Sequence, residues 1–251
     1  MIVFNTDLDN TMIYSYNHNI GDNKKCVEIY NGREISFITN KTYELIKKVK
    51  ERVLIVPTTT RTTEQYNRID FGLGVFEYAM TCNGGVLLVN GKEDFEWYNN
   101  SYDMIEESLA ELEKAEKIFE NDINRSFEVR NIRKLFVFTK SSKPQITVEL
   151  MKSKLDLNLV DVFSNGVKVY VVPKKLTKGK AIERLREKLN PKMVISAGDS
   201  EFDVPMLNNS DIAIAHYSMM SKFNLKENTL FLGENNIFSE DILNYILNII
   251  G

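Results

Sequence analysis

Two pairs of carboxylates stand where they could act together on one substrate. Asp7 and Asp9 are separated by one residue and follow the apolar segment Ile2 to Thr6. Asp199 and Asp203 are four residues apart and follow a second apolar segment, MVISA. One carboxylate of such a set can attack phosphorus while another manages a proton. Because aspartate also favours turns and helix caps, each pair considered alone is equally compatible with a structural role.

A cation is expected wherever these four carboxylates meet. Close carboxylates repel each other unless a positive charge neutralises them. Their oxygens are hard ligands, and among biological cations Mg²⁺ suits them well. The sequence therefore predicts Mg²⁺ as the cofactor.

Two further segments carry groups that suit a phosphate. Thr58, Thr59 and Thr60 precede Arg61, and hydroxyl groups beside a guanidinium at the start of a helix can bind an anion. Lys178 begins a predicted helix, where its charge opposes the helix dipole, so a functional demand is expected. Helix capping by a threonine and a solvated lysine are the alternative interpretations of these segments.

The elements that must position these residues alternate between strands and helices. Continuous apolar runs such as VLIVP, MVISA and IAIA are typical of strands that a parallel sheet buries on both faces. Helical periodicity over 42–52, 178–189 and the C-terminal segment places helices between them or after them. The pattern predicts an α/β fold with a doubly wound parallel sheet, and the strand ends of such a sheet line the ligand crevice.

The middle of the chain has a different pattern. The strand pair GGVLLVNGKEDFEW is predicted there, joined by a turn at Asn90-Gly91, and a helix is predicted from Tyr102 to Asn121. An earlier turn signal, Asn31-Gly32, predicts a hairpin before the first crossover helix. The strand candidates that follow indicate an antiparallel α+β unit inserted into the α/β fold. We expect a discontinuous core domain, 1–98 with 171–251, and an inserted domain, 99–170.

Composition excludes several classes of protein. With 43% hydrophobic and 27% charged residues, the chain is expected to be globular. Basic residues number 32 against 35 acidic ones, which leaves no basic surplus for nucleic acid and no polybasic patch for a membrane. Cys26 and Cys82 have no metal or redox spacing, and the N-terminus does not resemble a signal peptide, so a cytoplasmic protein is expected.

The order of the motifs resembles the haloacid dehalogenase (HAD) superfamily. The chain presents Asp-x-Asp-x-Thr, then a threonine, a lysine and Gly-Asp-x-x-x-Asp, each at a junction predicted to lie on one sheet edge. Within the superfamily it is similar to the Cof-type and sucrose-phosphatase-like phosphatases, which carry a C2 cap domain between the second and third motifs. The sequence NGG from Asn83 to Gly85 and the size of the insertion fit this resemblance.

The resemblance implies roles for individual residues. Asp7 would be the nucleophile that forms an aspartyl-phosphate, and Asp9 would be the general acid and then the base. Thr59 and Lys178 would hold the phosphoryl oxygens. The other phosphate or substrate ligands would be Thr60, Arg61 and Asn83. The Mg²⁺ ligands would be Asp7, the backbone carbonyl of Asp9, Asp199 and Asp203, the last directly or through water.

Two positions depart from the family pattern. Thr60 stands where the Cof-type pattern has glycine, which keeps Thr58 open as an alternative to Thr59. Phe202 stands where asparagine is usual, and a hydrogen-bonding partner near the metal is thereby lost.

The function implied is hydrolysis of a small phosphorylated metabolite, a sugar phosphate above all. A phosphomutase is the alternative within the fold. A non-catalytic binding or regulatory protein is the alternative from another class, and the oligomeric state stays open.

Overall fold

The computed structural model describes all residues from Met1 to Gly251. The strands, numbered along the chain, are β1 Ile2–Thr6, β2 Tyr14–Ser15, β3 Lys24–Tyr30, β4 Arg33–Thr39, β5 Leu54–Pro57, β6 Tyr78–Thr81, β7 Val86–Val89, β8 Lys92–Glu93, β9 Arg130–Ile132, β10 Phe136–Lys140, β11 Val160–Asn165, β12 Lys168–Pro173, β13 Met193–Gly198, β14 Ile212–His216 and β15 Leu230–Leu232. The α-helices are α1 Asn40–Lys50, α2 Thr63–Tyr66, α3 Phe95–Met104, α4 Leu109–Glu120, α5 Pro144–Lys152, α6 Lys178–Leu189, α7 Val204–Asn208 and α8 Phe238–Ile250.

A five-stranded parallel sheet forms the centre of the first compact unit. Its strand order is β15-β14-β13-β1-β5, and β1 pairs with β13 on one side and β5 on the other. Phe4 and Ile195 are neighbours in this register and are fully buried. Helices α1 and α8 pack against each other and add Ile46 and Ile242 to the same core. The predicted α/β fold with a parallel sheet is confirmed.

Both predicted hairpins are present in the first unit. Asn31 and Gly32 join β3 to β4 with φ values of 51° and 74°, and Asn90 and Gly91 join β7 to β8 with 50° and 77°. Two successive positive φ angles are what a two-residue hairpin turn of this handedness requires, and asparagine followed by glycine adopts them at low cost. Strand β2 extends the hairpin β3–β4 to a three-stranded sheet of order β2-β4-β3.

The second compact unit spans Phe95–Thr177 and contains a four-stranded antiparallel sheet of order β11-β12-β10-β9. Helices α4 and α5 cover one face, where Phe119 and Met151 pack with Val137 and Val171. The first unit comprises Met1–Asp94 and Lys178–Gly251.

The predicted domain bounds differ from the limits of these units. A boundary at 98/99 would cut helix α3, and a boundary at 170/171 would cut strand β12. The bounds 1–98 with 171–251 and 99–170 therefore stay a prediction about domains, whereas the compact units begin and end between elements.

The helix predicted from Tyr102 to Asn121 is divided in the structure. Helix α3 starts earlier, at Phe95, and a break at Ile105 leads through a 3₁₀ turn into α4. The backbone of Ile105, with φ −104° and ψ 8°, does not continue the helix. The residues FEW at the end of the predicted strand pair GGVLLVNGKEDFEW instead begin helix α3, in which Trp97 and Ser101 are buried.

The C-terminal helix α8 packs on the core, as its sequence predicts. Ile242, Leu243 and Ile246 are fully buried. None of the helices combines the length and the hydropathy that crossing a membrane requires.

Candidate active site

Asp7 lies at the carboxyl end of β1, next to the end of β13. Its backbone N–H donates to the carbonyl oxygen of Ala197 at 2.9 Å, which fixes the strand end on which the carboxylate stands. The side chain is mostly buried and accepts a hydrogen bond from Lys178 Nζ at Oδ1, at 2.5 Å. The same ammonium group donates to Asp203 Oδ1 at 2.6 Å. Lys178 is itself 1% exposed, so both ion pairs are shielded from water.

Asp203 is held more tightly than any other carboxylate of the site. Its Oδ2 accepts from the backbone N–H groups of Asp199 and Ser200 at 3.1 and 3.0 Å and from Ser200 Oγ at 2.9 Å. A side chain at Gly198 would collide with it, because a Cβ there would lie 2.4 Å from Asp203 Cβ. Asp203 is therefore anchored without an asparagine at position 202, where Phe202 is instead buried.

The carboxylates of Asp7, Asp199 and Asp203 form an acidic group whose oxygens lie within 4.8 Å of one another. We call these three residues and Lys178 the Lys178 cluster. Three carboxylates against one ammonium group leave two negative charges, which is the charge that a divalent cation neutralises. Because both oxygens of Asp203 already accept hydrogen bonds, Asp7 and Asp199 are better placed to donate oxygens to a metal.

Burial and mutual repulsion govern the titration of this cluster. Burial raises the pKa of Asp7 well above its usual value, although the nearby Lys178 ammonium opposes the shift. Burial also raises the pKa of Asp199 to about 7, and the charge of Asp203 adds to this effect. Burial disfavours the charge of Lys178, but Asp203 and Asp7 outweigh it and raise its pKa above the ordinary value. Full ionisation of the cluster is thus unfavourable unless a cation compensates its charge.

The side chain of Asp9 is not part of the acidic group. Arg61 donates from Nη2 to Asp9 Oδ1 at 2.7 Å and from Nε to Oδ2 at 2.8 Å, so both carboxylate oxygens are engaged. Arg61 also donates from Nη1 to Glu28 Oε2 at 2.8 Å. Arg68 Nε donates to the other oxygen of Glu28 at 3.1 Å. We call Asp9, Glu28, Arg61 and Arg68 the Arg61 cluster.

The Arg61 cluster is balanced in charge, with two carboxylates and two guanidinium groups. Burial disfavours the charge of Arg61, but its hydrogen bonds and ion pairs with Asp9 and Glu28 raise its pKa above the ordinary value. The side chain of Glu28 is fully buried, whereas that of Asp9 is 49% exposed. The sequence pattern suggested that the carboxylates of Asp7, Asp9, Asp199 and Asp203 would meet; the structure brings three of them together and pairs the fourth with an arginine.

The threonine segment lies beside these clusters, after β5. Thr58 Oγ1 donates to the carbonyl oxygen of Val56 at 3.2 Å. Thr59 Oγ1 instead accepts a hydrogen bond, from the backbone N–H of Arg61 at 3.1 Å. Thr60 is partly exposed, and the N-cap of α2 is Thr62.

Asn83 is tied to the same segment. Its backbone N–H donates to the carbonyl oxygen of Thr59 at 2.9 Å, and Cys82 N–H donates to the carbonyl oxygen of Arg61 at 2.8 Å. Cys82 and Asn83 have φ values of 52° and 60°, in the left-handed region. Non-glycine residues seldom adopt this conformation, and such residues concentrate at functional sites.

Three residues of the site, Ser200, Glu28 and Arg68, were not predicted from the sequence. Ser200 could have been found, because it lies inside the Gly-Asp-x-x-x-Asp motif. Glu28 offered no motif, and its partner Arg61 is 33 positions away.

The profile of the haloacid dehalogenase-like hydrolases matches residues 88–220. No curated protein sequence matches the chain significantly.

Several solved structures share the fold over nearly the whole chain. One is the sucrose-phosphatase of Synechocystis sp. PCC6803 in complex with sucrose and phosphate, at a TM-score of 0.70 and 15% identity, with 98% of this chain and 97% of that chain covered. A second is the trehalose-6-phosphate phosphatase of Aspergillus fumigatus, at a TM-score of 0.56 and 12% identity, with 99% of this chain and 92% of that chain covered. A third is a phosphatase of the haloalkanoate superfamily from Bacteroides thetaiotaomicron, at a TM-score of 0.55 and 14% identity, with 98% of this chain and 95% of that chain covered.

The similarity to these solved structures shows the fold, whereas the match to the family profile shows the family. The profile match spans just over half of the chain and includes Lys178, Asp199 and Asp203. The chain therefore belongs to the family of haloacid dehalogenase-like hydrolases.

Proposed function

We propose that this protein is a phosphatase that hydrolyses phosphomonoesters through a phosphorylated Asp7. The observation that carries the proposal is the position of the Asp7 carboxylate, at a strand end, beside Lys178 and within reach of Asp199 and Asp203. A buried nucleophile with an adjacent ammonium group suits phosphoryl transfer, in which positioning and charge stabilisation do most of the work.

The proposed reaction has two halves. In the first, an Asp7 oxygen forms a bond to phosphorus, the bond from phosphorus to the leaving oxygen breaks, and that oxygen takes a proton from Asp9. For this step Asp9 must be protonated, so one of its oxygens gives up its hydrogen bond with Arg61 while the other keeps it. In the second, a water oxygen bonds to phosphorus and gives a proton to Asp9, and the phosphorus–oxygen bond to Asp7 breaks. The products are an alcohol and inorganic phosphate, and the enzyme returns to its starting state.

The hydrogen bonds of the two hydroxyl groups favour Thr59 over Thr58 as the phosphoryl ligand. A hydroxyl has one hydrogen to donate. Thr58 uses that hydrogen on Val56, whereas Thr59 only accepts and keeps its hydrogen for a phosphoryl oxygen. This supports Thr59, together with Lys178, as the proposed pair of phosphoryl donors, with Thr60, Arg61 and Asn83 as further ligands of phosphate or substrate.

The residues of the Lys178 cluster fit Mg²⁺. Asp7 and Asp199 would hold the ion with the backbone carbonyl of Asp9, and Asp203 would support them through its anchored position. When bound, the ion would neutralise charge on the phosphoryl oxygens and on the attacking carboxylate. The two excess negative charges of the cluster support a divalent ion of this kind.

A small phosphorylated metabolite, in particular a sugar phosphate, is the proposed substrate class. The support is the shared fold with proteins named sucrose-phosphatase and trehalose-6-phosphate phosphatase. We also propose that the inserted domain, 99–170, acts as the cap that selects the substrate. All the residues proposed for the chemistry lie outside that range.

The decisive experiment measures phosphate release from p-nitrophenyl phosphate with Mg²⁺ and with EDTA, followed by mass spectrometry of the quenched enzyme. Steady Mg²⁺-dependent release with phosphate on Asp7 is expected. Transfer of phosphate to a second sugar in place of water would identify a phosphomutase. No release from any member of a panel of phosphorylated metabolites would indicate a non-catalytic protein.

A further inference from the structure

Strand β3 presents its side chains in an unusual way. The register of its pairing with β4 shifts on both sides of Glu28, which marks a β-bulge. Val27 and Glu28 are consecutive and both buried, whereas the next residues, Ile29 and Tyr30, are 59% and 49% exposed. Regular alternation would give neighbouring residues opposite faces. The bulge therefore turns a carboxylate inwards while two apolar side chains face the solvent.

This arrangement is unfavourable for the strand alone. A buried carboxylate is costly unless it is paired and fully hydrogen-bonded, and exposed Ile29 and Tyr30 contribute little burial. Bulges are common on edge strands, and β3 is one, but they also concentrate next to active sites, where they re-aim a side chain. The inward turn of Glu28 at the bulge therefore points to a role for this residue beyond the packing of the hairpin.

Glu28 is completely satisfied by donors from three different segments. Ser36 Oγ on β4 donates to Oε2 at 2.6 Å, and Arg61 Nη1 donates to the same oxygen at 2.8 Å. Arg68, just after α2, donates to Oε1 at 3.1 Å. The carboxylate is thus a fixed point, and the guanidinium of Arg61 is attached to it.

Arg61 transmits this fixed position to Asp9. Its planar guanidinium directs Nη1 to Glu28 and the Nε and Nη2 edge to both oxygens of Asp9. Because the donors of a guanidinium have a rigid mutual geometry, fixing one edge orients the other. Asp9 is half-exposed and has no comparable restraint from burial.

We infer that Glu28 is a positioning residue, which acts through Arg61 to set the orientation of the Asp9 carboxylate. The inference deepens the proposed function and rests on it, because Asp9 matters only if it transfers a proton to a leaving group. Glu28 is not proposed to touch the substrate or the metal, because Arg61 lies between it and Asp9. A misplaced general acid slows substrates with poor leaving groups more than substrates with good ones.

Glu28→Gln is the most direct test, since glutamine has the same shape but no charge. Both oxygens of Glu28 face arginine donors, so the amide can accept from only one of the two arginines and opposes the other with its own N–H₂. Glu34→Gln is the matched control, because Glu34 lies on the partner strand β4, is exposed and makes the same change in net charge. Ser36→Ala is a milder variant that removes one donor to Glu28 and keeps its charge.

The readout is kcat/KM for three phosphate monoesters, whose leaving groups are p-nitrophenol, phenol and a primary alcohol. For Glu28→Gln we expect a loss of roughly 10- to 100-fold with the alkyl ester, in line with the cost of misplacing a catalytic group by about 1 Å. The loss with p-nitrophenyl phosphate should be only a few-fold. Ser36→Ala should show the same trend with a smaller slope, and Glu34→Gln should leave all three values unchanged.

A double-variant cycle with Asp9→Asn distinguishes positioning from a general loss of structure. If Glu28 acts through Asp9, Glu28→Gln should not steepen the leaving-group dependence further in the Asp9→Asn background, because coupled residues are non-additive. Equal losses with all three esters, or fully additive effects, would overturn the inference. If Glu28→Gln does not fold, Ser36→Ala decides, and a flat profile there also overturns it. An inactive wild-type enzyme would instead refute the proposed function itself.

Discussion

The Lys178 cluster and the Arg61 cluster use the same kinds of groups to opposite effect. The first places three carboxylates around one ammonium group and leaves two negative charges unneutralised. The second pairs two carboxylates with two guanidinium groups and is neutral. Asp7 and Asp9, only two residues apart, belong to different clusters. The comparison suggests that the unbalanced cluster is built to receive a cation, and that the balanced one is built to hold a side chain still.

The largest expected effect comes from Asp7, the proposed nucleophile in the unbalanced cluster. Asp7→Asn should reduce turnover by about 10³-fold or more, because an amide cannot attack phosphorus and such groups act as a unit. Asp161→Asn is a suitable control, since Asp161 is half-exposed and lies in the second compact unit. Steady-state phosphate release from rigorously purified protein measures the loss. Turnover above a few per cent of wild type would exclude phosphorylation of Asp7.

Metal binding should distinguish the two clusters next. A cation that binds only the folded state at about 100 times its Kd stabilises it by about 2.7 kcal/mol. For a protein of this size, that corresponds to an increase in Tm of roughly 5–10 °C. We expect Mg²⁺ to raise the Tm of the wild type and EDTA to abolish activity.

Variants assign this stabilisation to one cluster. Asp199→Ala should lose most of the Mg²⁺-induced rise in Tm, because it removes one of the proposed ligands. Arg68→Gln, in the balanced cluster, should keep it. Full activity in EDTA would refute a metal-dependent reaction, and loss of the Tm response in Arg68→Gln would contradict the separation of the clusters.

Substitution of Asp9, the proposed general acid in the balanced cluster, should have a smaller and more selective effect. General acid–base catalysis typically contributes about 10²–10⁴-fold. Asp9→Asn should therefore slow sugar-phosphate cleavage strongly and the first cleavage of p-nitrophenyl phosphate much less, since nitrophenolate leaves without help. A single-turnover burst measures that first step. Equal losses for both substrates would mean that Asp9 does not donate the proton.

The unbalanced cluster was largely predictable from the sequence, and the balanced one was not. Asp7, Asp199 and Asp203 follow apolar runs that a parallel sheet must bury, so their meeting at one sheet edge follows from topology alone. The same topological argument placed the side chain of Asp9 with the other carboxylates, which was wrong, because the sequence does not indicate that Arg61 pairs with Asp9. The inward turn of Glu28 depends on a β-bulge. The sequence KKCVEIY does not indicate at which residue the alternation of inward and outward side chains is interrupted.

The elements of the fold were predicted correctly where the local sequence allows one conformation, and incorrectly where tertiary packing decides. Asn-Gly turns and continuous apolar strands were predicted correctly, because each requires one conformation. Helix α3 was misread, since aromatic residues at Phe95 and Trp97 suit a strand as well as a helix. The short edge strand β15 was not predicted, since its three residues form too brief a pattern.

The smallest expected effect tests the balance of the Arg61 cluster. Arg68 and Arg186 are similarly exposed, at 31% and 30%, and each pairs with one carboxylate. The partner of Arg68 is the fully buried Glu28, whereas the partner of Arg186, Asp211, is 47% exposed. Ion pairs at the surface contribute about 0–1 kcal/mol, and loss of a donor to a buried carboxylate costs about 1–3 kcal/mol.

Arg68→Gln should therefore lower the free energy of unfolding by about 1–2 kcal/mol, more than Arg186→Gln does, as measured by denaturant titration. Water can replace part of the lost bond, because Arg68 lies near the surface. Activity towards p-nitrophenyl phosphate should stay within about twofold, since Ser36 and Arg61 still hold Glu28. The packing of Arg68 over the ring of Tyr30, 4.5 Å away, adds to the difference between the two variants. Equal destabilisation by Arg68→Gln and Arg186→Gln would show that the loss of an ion-pair partner costs no more for the buried Glu28 than for the exposed Asp211. The contrast between the two clusters would then depend on the Lys178 cluster alone.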